Sequence, residues 1–383
     1  MHSSAADVVL ATLLELTVAA FHGQRCGTPV DMGGGYRYEA CHLRAAFHPS
    51  AQAISTTVPV TKGWHDAGDY GRYVVNSGIS TGTLLWAWEL YPEQFRGIDL
   101  LGEVRWNLEW MLSMQDEDGG AWHKQTSLAF PPFVMPHDDD TVSYVIGKGS
   151  CATANLAAVS AIAARVYEKS DVAFAQKNLG AATRAWIWLK KNPNVVFHNP
   201  ADVTTGEYGD RDCSDERLWA AAELWRTAKD ADAGEYLRSN IGRMSSYPAS
   251  WNAVGPLALW SYALGGDAEA RRKSIAAADE VVARAATDPY RIPMTKLNFV
   301  WGSNAVAANY GVQLLVANEL KPDRRYVDAA HDILRYLLGR NPFSMSYVTG
   351  VGERSVRHPH HRPSGADKVE APWPGLLAGG PNR

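Results

Sequence analysis

Cysteine is scarce in this sequence, with four residues among 383. So few cysteines in a chain of this length exclude a disulfide scaffold and leave metal binding or simple burial as the alternatives to weigh. Charge is also limited, because charged residues make up 20% of the chain and the formal net charge is −4. Since the signs are intermixed and no basic stripe is present, we expect no nucleic-acid partner and no anionic membrane partner.

Long apolar runs are absent as well. No uninterrupted run approaches the roughly 20 apolar residues that a membrane span requires. Residues 1–7 contain no Lys or Arg, and Glu15 interrupts the apolar run that follows, so the N-terminus does not have the pattern of a signal peptide. The 46% of hydrophobic residues is instead typical of a globular protein.

Residues 63–76 carry the strongest chemical signal, because they place two carboxylates, Asp66 and Asp69, in a turn with glycines at 63, 68 and 71. Glycine permits tight backbone conformations, so the turn can present both acids in one direction. Three aromatic residues surround the acids: Trp64, Tyr70 and Tyr73. Paired carboxylates beside rings that stack on sugars are what a glycosidase needs. The alternative is an aspartate-rich turn that caps the following helix.

The rest of the chain is patterned as helices. Apolar residues recur at helical spacing in about eleven segments, beginning with Ser77–Tyr91 and Leu100–Gln115 and ending with residues 324–339, whereas almost nothing alternates at the strand period. Sequential antiparallel helix pairs with a few long loops at one end favour a ring of helix pairs. We therefore expect an all-α protein.

The stretch Gly63–Tyr73 resembles the base-bearing motif of glycoside hydrolase family 9, the inverting β-1,4-glucanases. The resemblance covers essentially residues 7–382 and implies an (α/α)6 barrel with a cleft at one end. It also implies that Asp69 is the general base and that Asp66 holds the same water. A β-1,4-glucan or cello-oligosaccharide is the substrate that the resemblance implies.

Four residues near this turn are candidates for a zinc site: Cys26, Cys41, His42 and His65. Two thiolates and two imidazoles complete a tetrahedral site with no open position, which is a structural arrangement. The alternative is two buried free cysteines with a turn histidine. Resemblance to family 9, many members of which hold a structural zinc with this set, favours zinc. Cys151 is expected to be an ordinary buried cysteine, and Cys213 to be incidental.

Residues 207–224 are the second diagnostic stretch. Ser214 or Asp212 can cap a helix whose first turn holds Asp215 and Glu216, as the helix dipole favours. The resemblance implies a structural calcium ion at Asp215 and Glu216, with Asp210 and Asp212 as weaker ligands. Carboxylate oxygens are ligands that calcium prefers.

The third diagnostic stretch includes residues 338–350 and 358–362. In the family, the corresponding histidine and arginine donate hydrogen bonds to sugar hydroxyls beside the cleavage point. The resemblance implies the following sugar-binding residues: His358, His360, Arg362, Tyr347, Trp301 and His123.

The resemblance breaks at the third acid. Family 9 catalysis uses a glutamic acid in an Asn-Glu motif beyond the histidine cluster, and the chain ends after residues 374–383, which resemble the lead-in to that motif. We therefore expect a single domain over residues 1–383, truncated at its C-terminus, that acts as an impaired endo-β-1,4-glucanase. The alternatives are an exo-acting β-glycosidase on short oligosaccharides and a catalytically silent carbohydrate-binding protein. The family is usually secreted, which is the localisation that we expect.

Overall fold

The computed structural model describes residues 5–54, 58, 60–243 and 248–383, with side chains from residue 10 onward. Residues 1–4, part of the segment assessed above for an export signal, lie outside this range. None of the helices in the described part is long and apolar enough to cross a membrane. The helices are α1 Ala5–His22, α2 Val74–Leu90, α3 Leu100–Ser113, α4 Ser150–Val166, α5 Val172–Lys191, α6 Ser214–Ala228, α7 Ala231–Asn240, α8 Gly255–Leu264, α9 Ala268–Thr287, α10 Ser303–Leu320, α11 Arg324–Leu337 and α12 Arg362–Ala366.

The helices from α2 to α11 alternate between an inner and an outer layer. The inner helices pack side by side, α2 on α4, α4 on α6, α6 on α8 and α8 on α10. The outer helices pack against them from outside, with α3 on α2, α5 on α4, α7 on α6, α9 on α8 and α11 on α10. These five inner–outer pairs follow the alternation of an (α/α)6 barrel, and the predicted fold class is confirmed.

Small residues allow the inner helices to approach one another closely. Nearly every residue of the alanine-rich α4 is buried. On α2, a Cβ added to Gly78 would lie 2.1 Å from the Asn155 side chain, and one added to Gly82 would lie 2.6 Å from the Trp219 ring. A larger residue at either position would force the helices apart, because protein interiors are close-packed.

The outer helices begin differently from the inner ones. Each of α3, α5, α7, α9 and α11 follows an aspartate whose side chain accepts a hydrogen bond from a first-turn amide: Asp99, Asp171, Asp230, Asp267 and Asp323. The inner helices α2, α4, α6, α8 and α10 lack such a cap from their own N-cap residue. An N-cap aspartate stabilises a helix by about 1 kcal/mol, so the outer helices start at positions specified locally.

The structure also contains six short strands that the sequence pattern did not reveal. The strands are β1 Val30–Asp31, β2 Arg37–Tyr38, β3 Ala45–Phe47, β4 Arg72–Tyr73, β5 Ala121–Thr126 and β6 Ser143–Gly149. The first two pair with each other, and the other four form one sheet in the order β3-β6-β5-β4. All six residues of β5 are buried. A strand covered on both faces shows no alternation of apolar and polar residues, so its period is invisible in the sequence.

A disulfide bond joins Cys151, in the first turn of α4, to Cys213, the residue before α6. The expectation that Cys151 is an ordinary buried cysteine, and that Cys213 is incidental, was wrong. Spacing along the chain did not reveal the pair, because 62 residues separate the two cysteines. The contact exists because α4 and α6 are neighbours in the inner layer.

Candidate active site

The aspartate turn, residues 66–71, is closed by its own backbone. The Asp66 amide donates to the Gly71 carbonyl at 2.8 Å, and the Asp69 amide donates to the Asp66 carbonyl at 3.0 Å. Ala67 lies in the left-handed region at φ +44°, which is unfavourable for a residue with a Cβ. A Cβ on Gly68 would lie 1.6 Å from the His360 carbonyl oxygen. The turn does not cap α2, because the N-cap residue Tyr73 makes no capping side-chain bond.

Asp66 is held from two sides. The Asn76 side chain on α2 donates to Oδ1 at 3.0 Å, and the Tyr208 hydroxyl donates to Oδ2 at 2.8 Å. Burial raises the pKa of Asp66, while these two hydrogen bonds lower it. Sequence analysis did not single out Asn76 or Tyr208 as partners, although each lies inside a stretch that it did single out, residues 63–76 and 207–224.

Asp69 faces the cleft with less support. The Gly71 amide donates to its Oδ1 at 2.6 Å. Burial, and next the charge of Asp66, raise the pKa of Asp69 to about 8, while the Gly71 hydrogen bond and the charges of Arg362 and Lys124 lower it. A carboxylate with a raised pKa that lines a cleft is a candidate general base.

The segment that contains α12 holds the aspartate turn from behind. The Arg362 guanidinium donates through Nη1 to the Gly68 carbonyl at 2.9 Å and through Nε to the Pro131 carbonyl at 3.0 Å. Gln24 donates to the Ala67 carbonyl at 2.7 Å and contacts His361 Nε2 at 3.1 Å. Arg362 is 5% exposed. Its side chain supports the aspartate turn through these hydrogen bonds and also forms part of the cleft wall.

A cleft of about 620 Å³ opens beside Asp69. Three of the expected sugar-binding residues line it together with Arg362: His358, His360 and Trp301. The Trp301 side chain is 83% exposed, which leaves its ring free to stack on a sugar. Phe130, which sequence analysis did not single out, also lines the cleft. The roles of these residues stay predictions.

Two of the expected sugar-binding residues lie elsewhere. The His123 ring stacks on Phe197 with centroids 3.9 Å apart, and its Nε2 contacts the Glu207 carbonyl at 2.9 Å. Tyr347 is 3% exposed and packs against Tyr336 in a core cluster. Neither residue is among those that line the cleft. Both were expected at the cleft because their sequence neighbours were, but their own side chains turn into the core.

Asp69 is the only carboxylate among the described residues that line this cleft. Glu370, the last glutamate of the sequence, has a side chain that is 94% exposed and pairs with Arg357 at 3.2 Å. Asp66 lies behind the turn and lines a second cavity of about 560 Å³. The described cleft wall therefore contains a candidate base but no second acid.

The zinc candidates converge. Cys26, Cys41, His42 and His65 each offer one ligand atom within 4.8 Å of the others. Both cysteines are free and buried. Burial raises the pKa of Cys26, but Cys41, Arg72 and His65 outweigh burial and hold it well below its ordinary value. A favoured thiolate among imidazoles is the donor set that zinc prefers.

The orientation of the two histidines also fits a metal. His42 Nε2 contacts Asp139 Oδ2 at 3.0 Å, whereas Nδ1 of both His42 and His65 is buried without a partner. A ring nitrogen left free while the other binds a carboxylate is the arrangement found around protein-bound zinc. Because His65 precedes Asp66, such a site would tie residues 26–42 to the aspartate turn.

The four calcium candidates lie close enough for their charges to interact, because, besides burial, Asp215 and Asp210 both raise the pKa of Glu216, but the aspartate side chains are also engaged by backbone amides. Asp215 accepts from the Val254 and Gly255 amides at 2.8 and 3.1 Å, so it caps the neighbouring helix α8. The side chains of Asp210 and Asp212 accept from the amides of residues 212 and 214. Among the described residues, the group of possible metal ligands in this region consists of Glu216 and the two disulfide cysteines, and it includes none of these aspartates. Residue 213 is the N-cap of α6, so neither Ser214 nor Asp212 has the capping position that was considered.

Of the four calcium candidates, Glu216 has the most pronounced character of a cation ligand. It is fully buried, and both of its carboxylate oxygens lack a partner. Burial, and then the Asp215 carboxylate, raise the pKa of Glu216 well above its ordinary value. A bound cation would relieve this cost, but calcium at this position stays a prediction.

Two aspartates on one turn, of which Asp69 lies on a cleft that an exposed tryptophan and two histidines also line, are typical of the class of glycoside hydrolases. Residues 11–383 match Glycosyl hydrolase family 9, and the chain belongs to this family. Endoglucanase D of Acetivibrio thermocellus is 35% identical over 93% of this chain. The chain spans 61% of the length of that relative.

Solved structures agree with this assignment. A metagenome-derived family 9 endoglucanase is 35% identical with a TM-score of 0.92, over 97% of this chain and 72% of the other. A Zn-binding triple mutant of the family 9 endoglucanase J30 is 32% identical with a TM-score of 0.90, over 98% of this chain and 75% of the other. The family and fold implied by the sequence resemblance are therefore confirmed.

Proposed function

We propose that the protein hydrolyses β-1,4-linked glucans by an inverting mechanism in which Asp69 is the general base. The observation that carries the proposal is the pair of part-buried aspartates on one turn, of which Asp69 faces a cleft with an exposed tryptophan. The name of the endoglucanase relative supports internal cleavage of the polymer.

The two aspartates are suited to different tasks. Asp66 is fixed by Asn76 and Tyr208, so it can hold a water without moving. Asp69, with a pKa raised by burial, takes the proton from that water as the water attacks the anomeric carbon. His358 and His360, which also line the cleft, would donate hydrogen bonds to sugar hydroxyls. This division matches the base side of an inverting glycosidase.

Protonation of the departing oxygen is the weak step. Asp69 is the only carboxylate among the described residues of the cleft wall, and a positioned general acid accelerates such a step by roughly 10²- to 10⁴-fold. We therefore propose that this chain cleaves natural glucans slowly. Substrates whose leaving group is acidic are cleaved faster, because their departing oxygen needs no proton from a general acid.

Two substrates test the proposal. The rate on soluble carboxymethyl-cellulose is compared with the rate on 2,4-dinitrophenyl β-cellobioside, whose leaving group needs no proton. We expect turnover of the aryl glycoside, release of the α-anomer in ¹H NMR, and loss of at least a hundredfold of that turnover in Asp69→Asn. Glu370→Gln is the matched control, since its carboxylate is exposed. Parent-like turnover in Asp69→Asn would show that another group is the base.

The polymer arm distinguishes the remaining alternatives. A rapid fall in viscosity with few new reducing ends indicates internal cuts, whereas exo action releases short products at nearly constant viscosity. A carbohydrate-binding protein without catalysis is the second candidate, and the absence of a second acid from the described cleft wall favours it. Binding of cellotetraose by calorimetry with no turnover of either substrate would establish that alternative.

Two further proposals, a bound zinc ion and secretion of the protein, both involve cysteine residues. We propose that Cys26, Cys41, His42 and His65 hold a structural zinc ion, because their ligand atoms converge and two ring nitrogens lack partners. The zinc-binding family 9 neighbour supports this proposal. We also propose secretion, since the disulfide between Cys151 and Cys213 is of a kind that persists in oxidising compartments.

A further inference from the structure

Lys124 is a buried cation to which the proposed reaction assigns no task. It lies in the middle of β5 and is 0% exposed. Its ammonium donates to Asn199 Oδ1 at 2.7 Å, to Thr205 Oγ1 at 3.1 Å and to the Gly206 carbonyl at 2.8 Å. These acceptors are neutral oxygens.

A buried ammonium held by neutral oxygens keeps its charge at a cost. Burial lowers the pKa of Lys124 to about 8, and the charges that oppose this shift are those of Glu207 and Asp69. The ammonium also lies 5.7 Å from the ring centroids of Tyr73 and Phe197. If residue 124 served only to fill space, an apolar side chain of the same length would do so without this desolvation cost.

The position of Lys124 connects it to the aspartate turn. Lys124 pairs in register with Tyr73, the residue that follows the turn by two positions. The segment that it holds, residues 199–206, leads directly to Tyr208, which donates to Asp66. Asn199 reinforces this segment by donating to the Thr205 carbonyl at 2.8 Å.

The charged groups that act most on Asp69 lie on the aspartate turn, at the start of α12 and on β5. Asp66 is the anion that raises its pKa, and Arg362 and Lys124 are the cations that lower it. The hydroxyls of Tyr73 and Tyr208 lie on the same side, and both have a pKa raised first by burial, so they stay neutral. Arg362 and Lys124 both donate to neutral oxygens in the hydrogen bonds described above, so the charge of each remains to offset that of Asp66, with Arg362 the larger contributor.

We infer that Lys124 is a positioning residue for the reaction. Its ammonium fixes residues 199–206 behind the aspartate turn and supplies a buried positive charge that favours the ionised form of Asp69 beside Asp66. The inference rests on the proposed function, because it gives Asp69 the role of base. Lys124 itself does not reach the cleft wall and exchanges no proton with the substrate.

Lys124→Gln tests the charge, because glutamine is neutral but keeps a donor for Asn199 or Gly206. On 2,4-dinitrophenyl β-cellobioside, we expect the acidic limb of the kcat/KM profile to move up by about one pH unit, with KM nearly unchanged. Lys148→Gln is the matched control, since Lys148 lies on the adjacent strand and pairs with Asp116 and Asp118. The limb should stay in place in that variant.

A second readout does not depend on turnover. The Asp69 carboxyl is titrated by ¹³C NMR in protein labelled at aspartate, and its signal is assigned by its loss in Asp69→Asn. A higher Asp69 pKa in Lys124→Gln, or in Lys124→Met if the first variant does not fold, supports the inference. An Asp69 pKa equal to that of the parent overturns it, even if stability or turnover falls. If the parent shows no turnover, the proposed function fails while this titration still decides the role of Lys124.

Discussion

Replacement of Asp69 by asparagine should stabilise the protein while it abolishes turnover. In the folded chain, burial and then the neighbouring Asp66 raise the pKa of Asp69 from 3.8 to about 8. The ionised form is therefore more costly in the folded state than in the unfolded state. Asparagine removes this cost and keeps an oxygen that can accept from the Gly71 amide, which now donates to Asp69 at 2.6 Å.

The sign and size of the effect follow from proton linkage. Because the folded pKa is raised, the stability contribution of Asp69 is fully present below the unfolded pKa of 3.8 and is lost as pH rises towards about 8. Each pH unit in that window costs about 1.4 kcal/mol. At pH 6 the loss is about 3 kcal/mol. For a chain of 383 residues, this corresponds to a Tm shift of about 4 °C.

The assay is thermal unfolding of the parent and Asp69→Asn between pH 4 and 9. We expect nearly equal Tm values at pH 4, a difference in favour of the variant that widens to about pH 8, and a constant difference above it. Glu370→Gln should match the parent throughout, since that side chain is 94% exposed. A difference between Asp69→Asn and the parent that does not change with pH would refute the reasoning, because it would mean that the Asp69 pKa is not raised by folding.

Three further predictions concern the disulfide, the metal and the cleft. Replacement of both Cys151 and Cys213 by alanine should lower the free energy of unfolding by about 4 kcal/mol, because the disulfide closes a loop over a 62-residue separation. Thermal unfolding should then show a Tm lower by about 5 °C, and an unchanged Tm would contradict this prediction. Elemental analysis should find one zinc per chain in the parent and none in Cys26→Ser, and chelation should lower the Tm of the parent but not of the variant; metal-free parent protein would exclude the site. Trp301→Ala should raise KM for cello-oligosaccharides about tenfold at nearly constant kcat, because the cleft loses an exposed ring that can stack on a sugar. An unchanged KM in steady-state kinetics would show that Trp301 does not bind the substrate.

The sequence predicted the parts of the site that lie within short segments. The aspartate turn was predictable because its glycines and its acids fall within residues 63–76, so local backbone geometry alone brings Asp66 and Asp69 together. Residue type was similarly informative for the cysteines and histidines of the zinc cluster. Their convergence to within 4.8 Å follows from loops near the same turn.

Side-chain direction was the least predictable feature. His123 and Tyr347 belong to segments near the cleft, yet one stacks on Phe197 and the other packs on Tyr336. On a strand covered from both faces, or on a loop that enters the core, sequence carries no period that separates inward from outward positions. Both side chains could therefore be placed only once their neighbours were known.

By itself, the sequence determined the helical class, the starts of the outer helices and the chemistry of the aspartate turn, because each depends on residues close together along the chain. The tertiary structure alone decided which distant groups act on that turn. Tyr208 reaches Asp66 across 142 residues, and Cys151 reaches Cys213 across 62. Such contacts arise from the packing of one helix or strand against another, and no local pattern records which partner a buried side chain will meet.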